Sequence, residues 1–366
     1  MLSKKLKIII FFLTIVLCTI GILMVYSSSN IWAEYKYGDS YYYLRRQILF
    51  FSVGLILMFI GYKIPSNFLQ KYCIYLVFIS LILLILVIIP GIGIIRNGSR
   101  SWFGIGSFAF QPSELFKIVL ITYLSSILSK EYDKTRKIKV FIPVFMFSII
   151  GFILIMLQPD FGTAMIMILS IILLLFISRL SMKYFIIMGG LGISLVVLLI
   201  IIAPYRFERI TAYIDPWKDP LGAGFQIIQS MYAIGPGGLL GSGLFNSYQK
   251  HFYLPEPQTD FIFAILVEEL GLLGGLLVIF LFALLFIFGF KLATLQQNKF
   301  NCFLITGLLG LLCIQVIINL GVVTAVFPIT GITLPLISYG GTSLSISLFC
   351  IGLILGRKTN ENYISC

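Results

Sequence analysis

Repeated apolar segments, each about as long as a lipid bilayer is thick, constrain the fold of this chain more than any other feature. Hydrophobic residues make up 59% of the sequence and charged residues only 11%, and the mean hydropathy is +1.05. A helix needs about 20 apolar residues to cross the hydrocarbon core of a membrane. The composition therefore predicts an integral membrane protein.

The apolar segments predict the number of membrane crossings. We place ten of them, at residues 8–27, 47–62, 72–90, 112–129, 140–157, 163–179, 184–203, 261–290, 302–327 and 337–356. We therefore predict an all-α membrane protein with about ten transmembrane helices in one polytopic domain over residues 1–366. A large extracytoplasmic loop, 204–260, joins helices 7 and 8. The first segment is too long for a signal peptide and lacks a cleavage site, so we expect it to remain on the protein.

Lysine and arginine residues predict the orientation of these helices. The net charge of +12 is compatible with nucleic-acid binding, but in a membrane protein such charge collects in cytoplasmic loops. With a cytoplasmic N-terminus, the inner loops carry Lys63, Lys71, Lys130, Lys134, Arg136, Lys137, Lys139, Arg179, Lys183, Lys291, Lys299, Arg357 and Lys358, and the short outer loops carry Lys36, Arg45, Arg46, Arg96 and Arg100. We therefore expect both termini in the cytoplasm and the long loop outside, with no nucleic-acid partner.

An aspartate at the mouth of a long apolar helix is the first candidate functional residue. Asp260 ends a proline-rich polar loop, 254–260, and an ionised group at such a position usually serves charge, protons or a substrate. Glu268 and Glu269 follow about 12 to 13 Å deeper on the helix, so they cannot pair with Asp260. Because they are buried, they must be bridged or protonated, and we favour a structural role for them.

Two other predicted helices start with charged motifs. In Gln111–Lys117, Pro112 suits the first helical position, which places Glu114 near the positive end of the helix dipole and Lys117 one turn deeper on the same face. A local ion pair and a wet substrate cavity both fit this pattern. Asp160 also precedes a helix, where an N-cap explains it as well as a binding role does.

Glycine and proline mark two further segments on the predicted outer side. Residues 222–234 have the spacing of a short amphipathic helix, and the glycine run 235–243 either cradles a phosphate or serves as a flexible loop. The cations Arg206, Arg209 and Lys250 flank these segments and suit an anionic lipid head group. Prolines 328 and 335 interrupt the apolar segment 328–341, and non-helical backbone at membrane depth is tolerated only where it faces protein or a cavity. We therefore expect this segment, which contains Ser338, to line a cavity.

Six strings in the sequence resemble the signatures of the SEDS family (shape, elongation, division and sporulation proteins). They are Asn97–Trp102, Gln111–Glu114, Gln158–Asp160, Gly224–Ser230, Leu254–Phe263 and Ile337–Gly341. The resemblance extends from Met24 to the last predicted helix, and no signature position departs from the family pattern. Within the family, the chain is most similar to the division and sporulation branch, FtsW and SpoVE, and then to RodA.

The resemblance implies a peptidoglycan glycosyltransferase of the bacterial cytoplasmic membrane, which polymerises lipid II into β-1,4-linked strands with Asp260 as the essential acidic residue. Lipid II carries an activating polyprenyl diphosphate, so no organic cofactor is required. Asp260 would act as the base for the acceptor 4-hydroxyl, and cations would stabilise the leaving diphosphate. The candidate substrate-binding residues are Arg100, Glu114, Lys117, Asp160, Arg206, Arg209, Lys250 and Ser338, and a divalent cation, Mg²⁺ or Mn²⁺, is a candidate ligand near Glu114 or Asp160.

A lipid II flippase is the competing function, because broken apolar segments and intramembrane charges also fit transport. The predicted site residues gather on the outer side rather than at the midplane, and the two halves of the chain show no evident repeat, so we favour the enzyme. The inner loops carry no G-x-x-x-x-G-K-[ST] motif, which argues against an ATP-driven pump. The family typically works beside a class B penicillin-binding protein, a transpeptidase, and we expect such a partner here.

Overall fold

The protein is a bundle of long helices, which the computed structural model describes for residues 2–96, 98–105, 108–131, 138–178, 180–187, 189–190, 213–222 and 224–357. The helices are α1 (Leu2–Tyr37), α2 (Tyr42–Lys63), α3 (Ser66–Ile88), α4 (Pro112–Lys130), α5 (Ile142–Met156), α6 (Phe161–Ile177), α7 (Phe225–Ile234), α8 (Ile262–Thr294), α9 (Lys299–Val323) and α10 (Gly341–Leu355). Short 3₁₀ turns span Ile138–Phe141 and Pro216–Lys218.

The helices confirm a multi-pass membrane fold, although they do not confirm ten spans. Six described helical segments are long and apolar enough to cross a membrane: α1, α2, α3, α8, α9 and the segment Lys139–Met156 that contains α5. The apolar helices α6 and α10 are shorter, with 17 and 15 residues. The predicted span 184–203 lies mostly outside the described residues, of which 184–187 and 189–190 are helical.

A small antiparallel sheet stands between α3 and α4, where the sequence analysis predicted only a short loop. Its strands are β1 (Gly93–Arg96), β2 (Ser99–Ile105) and β3 (Phe108–Phe110), in the order β1-β2-β3. Arg96 pairs with Ser99 across a two-residue turn. The turn sequence is Asn97-Gly98, and Gly98 has a φ of +79°, as hairpin turns of this kind require. The sheet is a short addition to a fold whose described part is otherwise mostly helical, as we predicted.

Helix α4 occupies the centre of the bundle. It packs against α3, α5, α6, α9 and α10, and most of its residues are buried. A helix enclosed by others on all sides needs no lipid-facing apolar stripe, so it can carry charged side chains that face other protein groups. This position explains how Glu114 and Lys117 are accommodated inside the membrane region.

Glycines bring α2 and α10 into backbone contact. A Cβ atom on Gly352 would lie 2.1 Å from the Met58 carbonyl oxygen, and one on Gly356 would lie 2.3 Å from the Tyr62 carbonyl oxygen. Nearer the other end of the pair, the Ser345 hydroxyl donates a hydrogen bond to the Phe50 carbonyl at 3.3 Å. Small residues spaced four apart let transmembrane helices approach closely enough for dispersion contacts to hold them together.

Replacing Gly352 with leucine is expected to separate α2 from α10 and to destabilise the protein. Overpacking of this kind costs roughly 1–3 kcal/mol, and thermal unfolding in detergent measures it as a lower melting temperature. Gly189→Leu is the matched control, because no residue in the described part of the chain lies within 4 Å of a Cβ atom at that glycine. Equal melting temperatures for the two variants would show that the close contact contributes nothing.

The helix ends form two sets at opposite ends of the bundle. One set is joined by residues 38–41, 89–111, 157–160, 213–261 and 324–340, and we call it the loop-rich end. At the opposite end Arg357 is fully buried and donates hydrogen bonds to the carbonyls of Leu353 and Ile64, at 2.9 and 2.6 Å. Burial lowers the pKa of Arg357 to about 10. Its charge compensates the negative ends of the dipoles of α2 and α10.

Candidate functional site

Asp260 lies at the loop-rich end, immediately before α8. Its side chain is partly exposed, and the Thr259 hydroxyl donates a hydrogen bond to its Oδ1 at 3.0 Å. The backbone carbonyl of Asp260 accepts a hydrogen bond from the side-chain amide of Asn319 on α9, at 2.7 Å. The buried Asn319 therefore fixes the backbone at Asp260, and the carboxylate of Asp260 lies at the surface of the bundle.

Asn319 also connects Asp260 to the proline-interrupted segment 328–341. Its side-chain nitrogen donates a second hydrogen bond, to the Ile332 carbonyl at 2.7 Å. The Tyr339 N–H donates to the Gln258 carbonyl at 2.8 Å. These bonds place the segment beside Asp260, where we expected it to line a cavity. The sequence analysis missed Asn319, although a polar residue inside an apolar span was the available signal.

Ser338 supports the turn of this segment. It is buried, its hydroxyl accepts a hydrogen bond from the Leu334 N–H at 2.9 Å, and its carbonyl accepts one from the Gln47 side chain at 3.2 Å. The hydroxyl proton is still available to donate. Ser338 therefore stays a candidate for substrate binding that also holds the segment against α2.

Glu114, Lys117 and Asp160 form a second group of charged residues. Lys117 Nζ lies 2.7 Å from Glu114 Oε1 in an almost fully buried ion pair, which confirms the predicted local pair. Asp160 caps α6, because its Oδ1 accepts from the Thr163 N–H at 3.1 Å, and its Oδ2 accepts from the Gln111 side chain at 2.8 Å. Desolvation raises the pKa of Asp160, and the hydrogen bonds from Thr163 and the charge of Lys117 act against it.

Residues close to Asp160 and residues close to Asp260 both contact the segment 328–341. A Cβ atom at Gly162, two residues after Asp160, would lie 2.6 Å from the Thr330 carbonyl oxygen and 3.0 Å from the Ile332 side chain. Ile332 is also the residue that Asn319 ties to Asp260. The start of α6 therefore packs against the stretch of backbone that Asn319 also hydrogen-bonds, and the other bond from Asn319 goes to Asp260. Asp160 and Asp260 are thus connected through the segment 328–341 and Asn319.

Strand β2, which contains Arg100, is hydrogen-bonded to the backbone just before Asp160. The hydroxyls of Ser99 and Ser101 donate to the Gln158 carbonyl, the latter at 3.3 Å, two residues before Asp160. Arg100 is partly exposed on β2 between them. Because successive side chains of a strand point to opposite faces, Arg100 lies on the face of β2 opposite to Ser99 and Ser101, and its part in substrate binding stays a prediction.

Lys250 is committed to a buried ion pair. It is 3% exposed, and its ammonium donates to the Phe245 carbonyl at 2.5 Å and lies 3.4 Å from Glu269 Oε1. The Ser27 hydroxyl on α1 also donates to Glu269, at 2.6 Å. Glu268 accepts from the Tyr248 N–H at 2.7 Å and from the Ser247 hydroxyl. Glu269 is bridged by Lys250 and Glu268 is held by neutral donors, which agrees with the structural role that we favoured for both, and Lys250 faces Glu269 instead of a ligand.

The glycine run 235–243 packs against a break in α8. Gly271 has a φ of +71° inside this helix, and the N–H groups of Ser242 and Gly243 donate to the carbonyls of Glu268 and Glu269 at 2.9 and 3.0 Å. These two N–H groups are already bonded to α8, so they are not available to a phosphate. The structure therefore favours a structural role for the glycine run over a phosphate-binding one. The predicted helix in 222–234 is present as α7, which packs against α8 and α9.

The structure places some of the predicted charged residues at the loop-rich end and others elsewhere. Asp260, Glu114, Lys117, Asp160 and Arg100 lie at the loop-rich end. Lys250 lies in the structural network behind α8. Arg206 and Arg209 lie outside the described residues. The described part of the chain contains no group of three or more histidine, cysteine, aspartate or glutamate side chains that could hold a metal ion.

Comparison with known proteins identifies relatives over almost the whole chain. The family model described as "Cell cycle protein" (FtsW/RodA/SpoVE) matches residues 7–363. Stage V sporulation protein E of Bacillus subtilis is 46% identical over 352 residues, which cover 96% of each chain. The probable peptidoglycan glycosyltransferase FtsW of Geobacter sulfurreducens is 39% identical over 357 residues, 97% of this chain and 96% of that protein.

A solved structure has the same fold. It is a chain of a peptidoglycan synthase complex, described as coordinating polymerization and crosslinking, and it superposes with a TM-score of 0.76 at 31% identity. The match covers 94% of this chain and 95% of the other. The fold resemblance therefore extends over nearly the whole chain.

Proposed function

This chain belongs to the FtsW/RodA/SpoVE family, and on that premise we propose how it works: it is a peptidoglycan glycosyltransferase that polymerises lipid II into β-1,4-linked glycan strands. The relatives that share its full length include probable glycosyltransferases of this type, which supports the activity. The observation that carries the mechanism is the position of Asp260, which is partly exposed and which Asn319 connects to the segment against which the start of α6 packs.

Asp260 serves as the general base. The incoming sugar attacks through its 4-hydroxyl, and a carboxylate within hydrogen-bonding reach removes the proton as the new bond forms. The diphosphate leaves with its negative charge, so a single displacement inverts the anomeric centre and gives the β linkage. No second carboxylate is needed next to Asp260, which agrees with Glu268 and Glu269 being engaged elsewhere.

Cations around segment 328–341 stabilise the departing diphosphate. We propose Arg100 and Lys117 for this role, together with Arg206 and Arg209 from the long loop, because charge-assisted hydrogen bonds to phosphate are strong in a water-poor site. Glu114 holds Lys117 in place by the 2.7 Å ion pair. Lys250 is omitted because it lies in the network behind α8, paired with Glu269, whereas the charge of Lys117 acts on Asp160 at the loop-rich end.

A divalent cation is a further proposal for this site. Hard oxygen ligands suit Mg²⁺ or Mn²⁺, but Glu114 is paired with Lys117 and the described residues offer no cluster of three acidic side chains. We therefore propose that the ion binds to Asp160 together with the substrate diphosphate, and not in a pocket made by side chains alone. EDTA is therefore expected to abolish polymerisation, and added Mg²⁺ or Mn²⁺ is expected to restore it. A polymerisation assay with and without these additions tests the proposal.

We propose that the loop-rich end faces the outside of the cytoplasmic membrane and that both termini lie in the cytoplasm. The distribution of lysine and arginine supports this orientation. The related solved chain works in a complex that combines polymerization with crosslinking, which supports a class B transpeptidase as the partner. The similarity to stage V sporulation protein E and to FtsW supports a role in sporulation or division.

Vesicles with lipid II in one leaflet separate the enzyme from a transporter. When labelled lipid II is placed only in the leaflet that contacts the loop-rich end, the reconstituted protein with its transpeptidase is expected to make glycan polymer without moving lipid across the bilayer. Gel separation of the polymer and a leaflet-specific label measure the two processes. A flippase needs access to both sides and does no sugar chemistry, so movement without polymer would establish the flippase instead.

A further inference from the structure

A groove opens on the surface of the bundle at the end opposite the loop-rich end, where a short turn joins α2 to α3. It has a volume of about 390 Å³ and is lined by Phe59, Ile60, Lys63, Ile64, Pro65 and Phe68. Apart from Lys63, these side chains are apolar. A groove with an apolar lining and a cation at its edge suits a ligand that has a hydrocarbon chain and an anionic head.

The buried Arg357 fixes the turn beside this groove. Its guanidinium donates to the Ile64 carbonyl at 2.6 Å and to the Ser66 hydroxyl at 3.1 Å, on either side of Pro65. Lys7 donates to the Arg357 carbonyl at 2.5 Å, which joins α1 to the same turn. Beyond the turn, α2 packs against α1 and α10, whereas α3 packs against α4 and α5. The groove is therefore part of the packed structure, and a ligand does not have to create it.

Two lysines lie along this groove on different helices. Lys63 is exposed in the last turn of α2, with its ammonium 5.3 Å from the centre of the Phe59 ring. Lys71 is exposed on α3, with its ammonium 5.2 Å from the centre of the Tyr72 ring. The Tyr72 ring packs against Phe68, with centroids 4.8 Å apart. Because helical side chains lean toward the start of their helix, Lys71 extends toward the turn.

Acidic residues are missing from this region of the sequence. Residues 40–113 contain neither aspartate nor glutamate, and within the described part of the chain neither Lys63 nor Lys71 forms a salt bridge. The start of α1, at the same end of the bundle, adds three lysines, and residues 1–33 contain no acidic residue. Clusters of lysine beside a membrane attract anionic lipid head groups. The charge here is therefore complementary to an anion that comes from outside the protein.

We propose that this groove binds one anionic phospholipid from the membrane leaflet at that end of the bundle. An acyl chain lies along the apolar lining, and Lys63 and Lys71 hold the phosphate. Both ammonium groups reach the head-group region because their stems extend along apolar side chains. This inference does not depend on the proposed activity, since the groove lies at the opposite end of the bundle from Asp260 and takes a membrane lipid instead of the substrate.

Native mass spectrometry of the full-length protein in detergent measures lipid binding without any reaction. The wild type is expected to retain dioleoyl phosphatidylglycerol in preference to dioleoyl phosphatidylcholine, whose head group has no net charge. Lys63→Gln and Lys71→Gln are each expected to raise the dissociation constant for phosphatidylglycerol about fivefold, because one lysine near a membrane surface contributes about that factor. Equal retention of the two lipids by the wild type would overturn the proposal.

Lys183→Gln is the matched control for the two lysine variants. Lys183 is exposed at the same end of the bundle, with its ammonium 5.0 Å from the centre of the Tyr184 ring, and it does not line the groove. Its replacement should leave the binding of phosphatidylglycerol unchanged. If the double variant of Lys63→Gln and Lys71→Gln binds the lipid as the wild type does, at an unchanged melting temperature, the two lysines do not form the site.

Ile60→Trp tests the groove separately from its charge. The larger ring fills part of the space between α2 and α3, and Ile60 is 45% exposed, so the binding of phosphatidylglycerol should weaken while the melting temperature stays near that of the wild type. Ile287→Trp is the control, because Ile287 is also exposed but lies on α8. Unchanged binding by Ile60→Trp would show that the chain of the lipid does not enter the groove.

The mass of the lipid that co-purifies with the protein identifies the occupant. Protein extracted directly from the membrane in which it is expressed is expected to retain a diacyl anionic phospholipid, and the double lysine variant is expected to lose it. Inorganic phosphate has the charge but no chain, so it should not displace this lipid. A retained polyprenyl phosphate, or displacement by inorganic phosphate, would overturn the assignment to a phospholipid.

Discussion

Asp260→Asn and Asp260→Ala are expected to lower lipid II polymerisation by about 10²- to 10⁴-fold, because loss of a general base typically costs that much. The asparagine keeps the shape of the side chain and an oxygen that can accept from Thr259. The bond from Asn319 goes to the backbone carbonyl, so neither change removes it. Expression and melting temperature should therefore stay near those of the wild type. Gel analysis of glycan made from labelled lipid II measures the loss.

Asp215→Asn is the matched control for this experiment. Asp215 lies at the same end of the bundle and makes no side-chain cap for the 3₁₀ turn that follows it. Its replacement should leave polymerisation unchanged. If an Asp260 variant makes glycan at a rate near that of the wild type, the assignment of Asp260 as the base is wrong.

Breaking the ion pair between Glu114 and Lys117 is expected to have the largest effect on stability. Glu114→Gln leaves a buried ammonium and Lys117→Met leaves a buried carboxylate, and a lone buried charge costs about 3–5 kcal/mol. The double variant leaves no unpaired charge, so it should unfold at a higher temperature than either single variant. Thermal unfolding in detergent, followed by the fluorescence of the tryptophans, measures the three variants.

Lys130→Met tests whether the effect depends on the pair. Lys130 is exposed at the end of the same helix, so its replacement should change the melting temperature little. Lys117→Met has a further consequence, because it removes a charge that favours ionised Asp160. Equal stability of Glu114→Gln, Lys117→Met and the wild type would show that the pair does not stabilise the site.

Local sequence patterns predicted the parts of the site that depend on neighbouring residues. The ion pair of Glu114 and Lys117 forms within one helical turn, and the cap by Asp160 bonds to a backbone group three residues on. Such contacts follow from helical geometry alone. The hairpin at Gly98 is equally local, and its Asn-Gly turn was a readable signal that the sequence analysis passed over.

Partners far apart in sequence were beyond prediction. Glu269 and Lys250 lie on different elements, and only the packing of the glycine run against the break at Gly271 brings them to 3.4 Å. Sequence patterns identified Lys250 as a cation near a loop, which is equally compatible with a ligand and with a buried partner. The hydrogen bond from Asn319 to the Asp260 carbonyl likewise requires α9 to pack against the start of α8.

The sequence by itself determined that the chain is a membrane protein, where most of its described apolar helices lie, which family it resembles and that Asp260 is the residue to test. Hydrophobicity and helical spacing act along the chain, so they can be read without coordinates. Only the tertiary structure decided which charges are free to meet a substrate. It assigned Lys250 to Glu269, and it connected Asp260 through Asn319 to the segment against which the start of α6 packs. A buried polar group takes whichever partner packing places within hydrogen-bonding distance, because leaving it unpaired costs too much free energy.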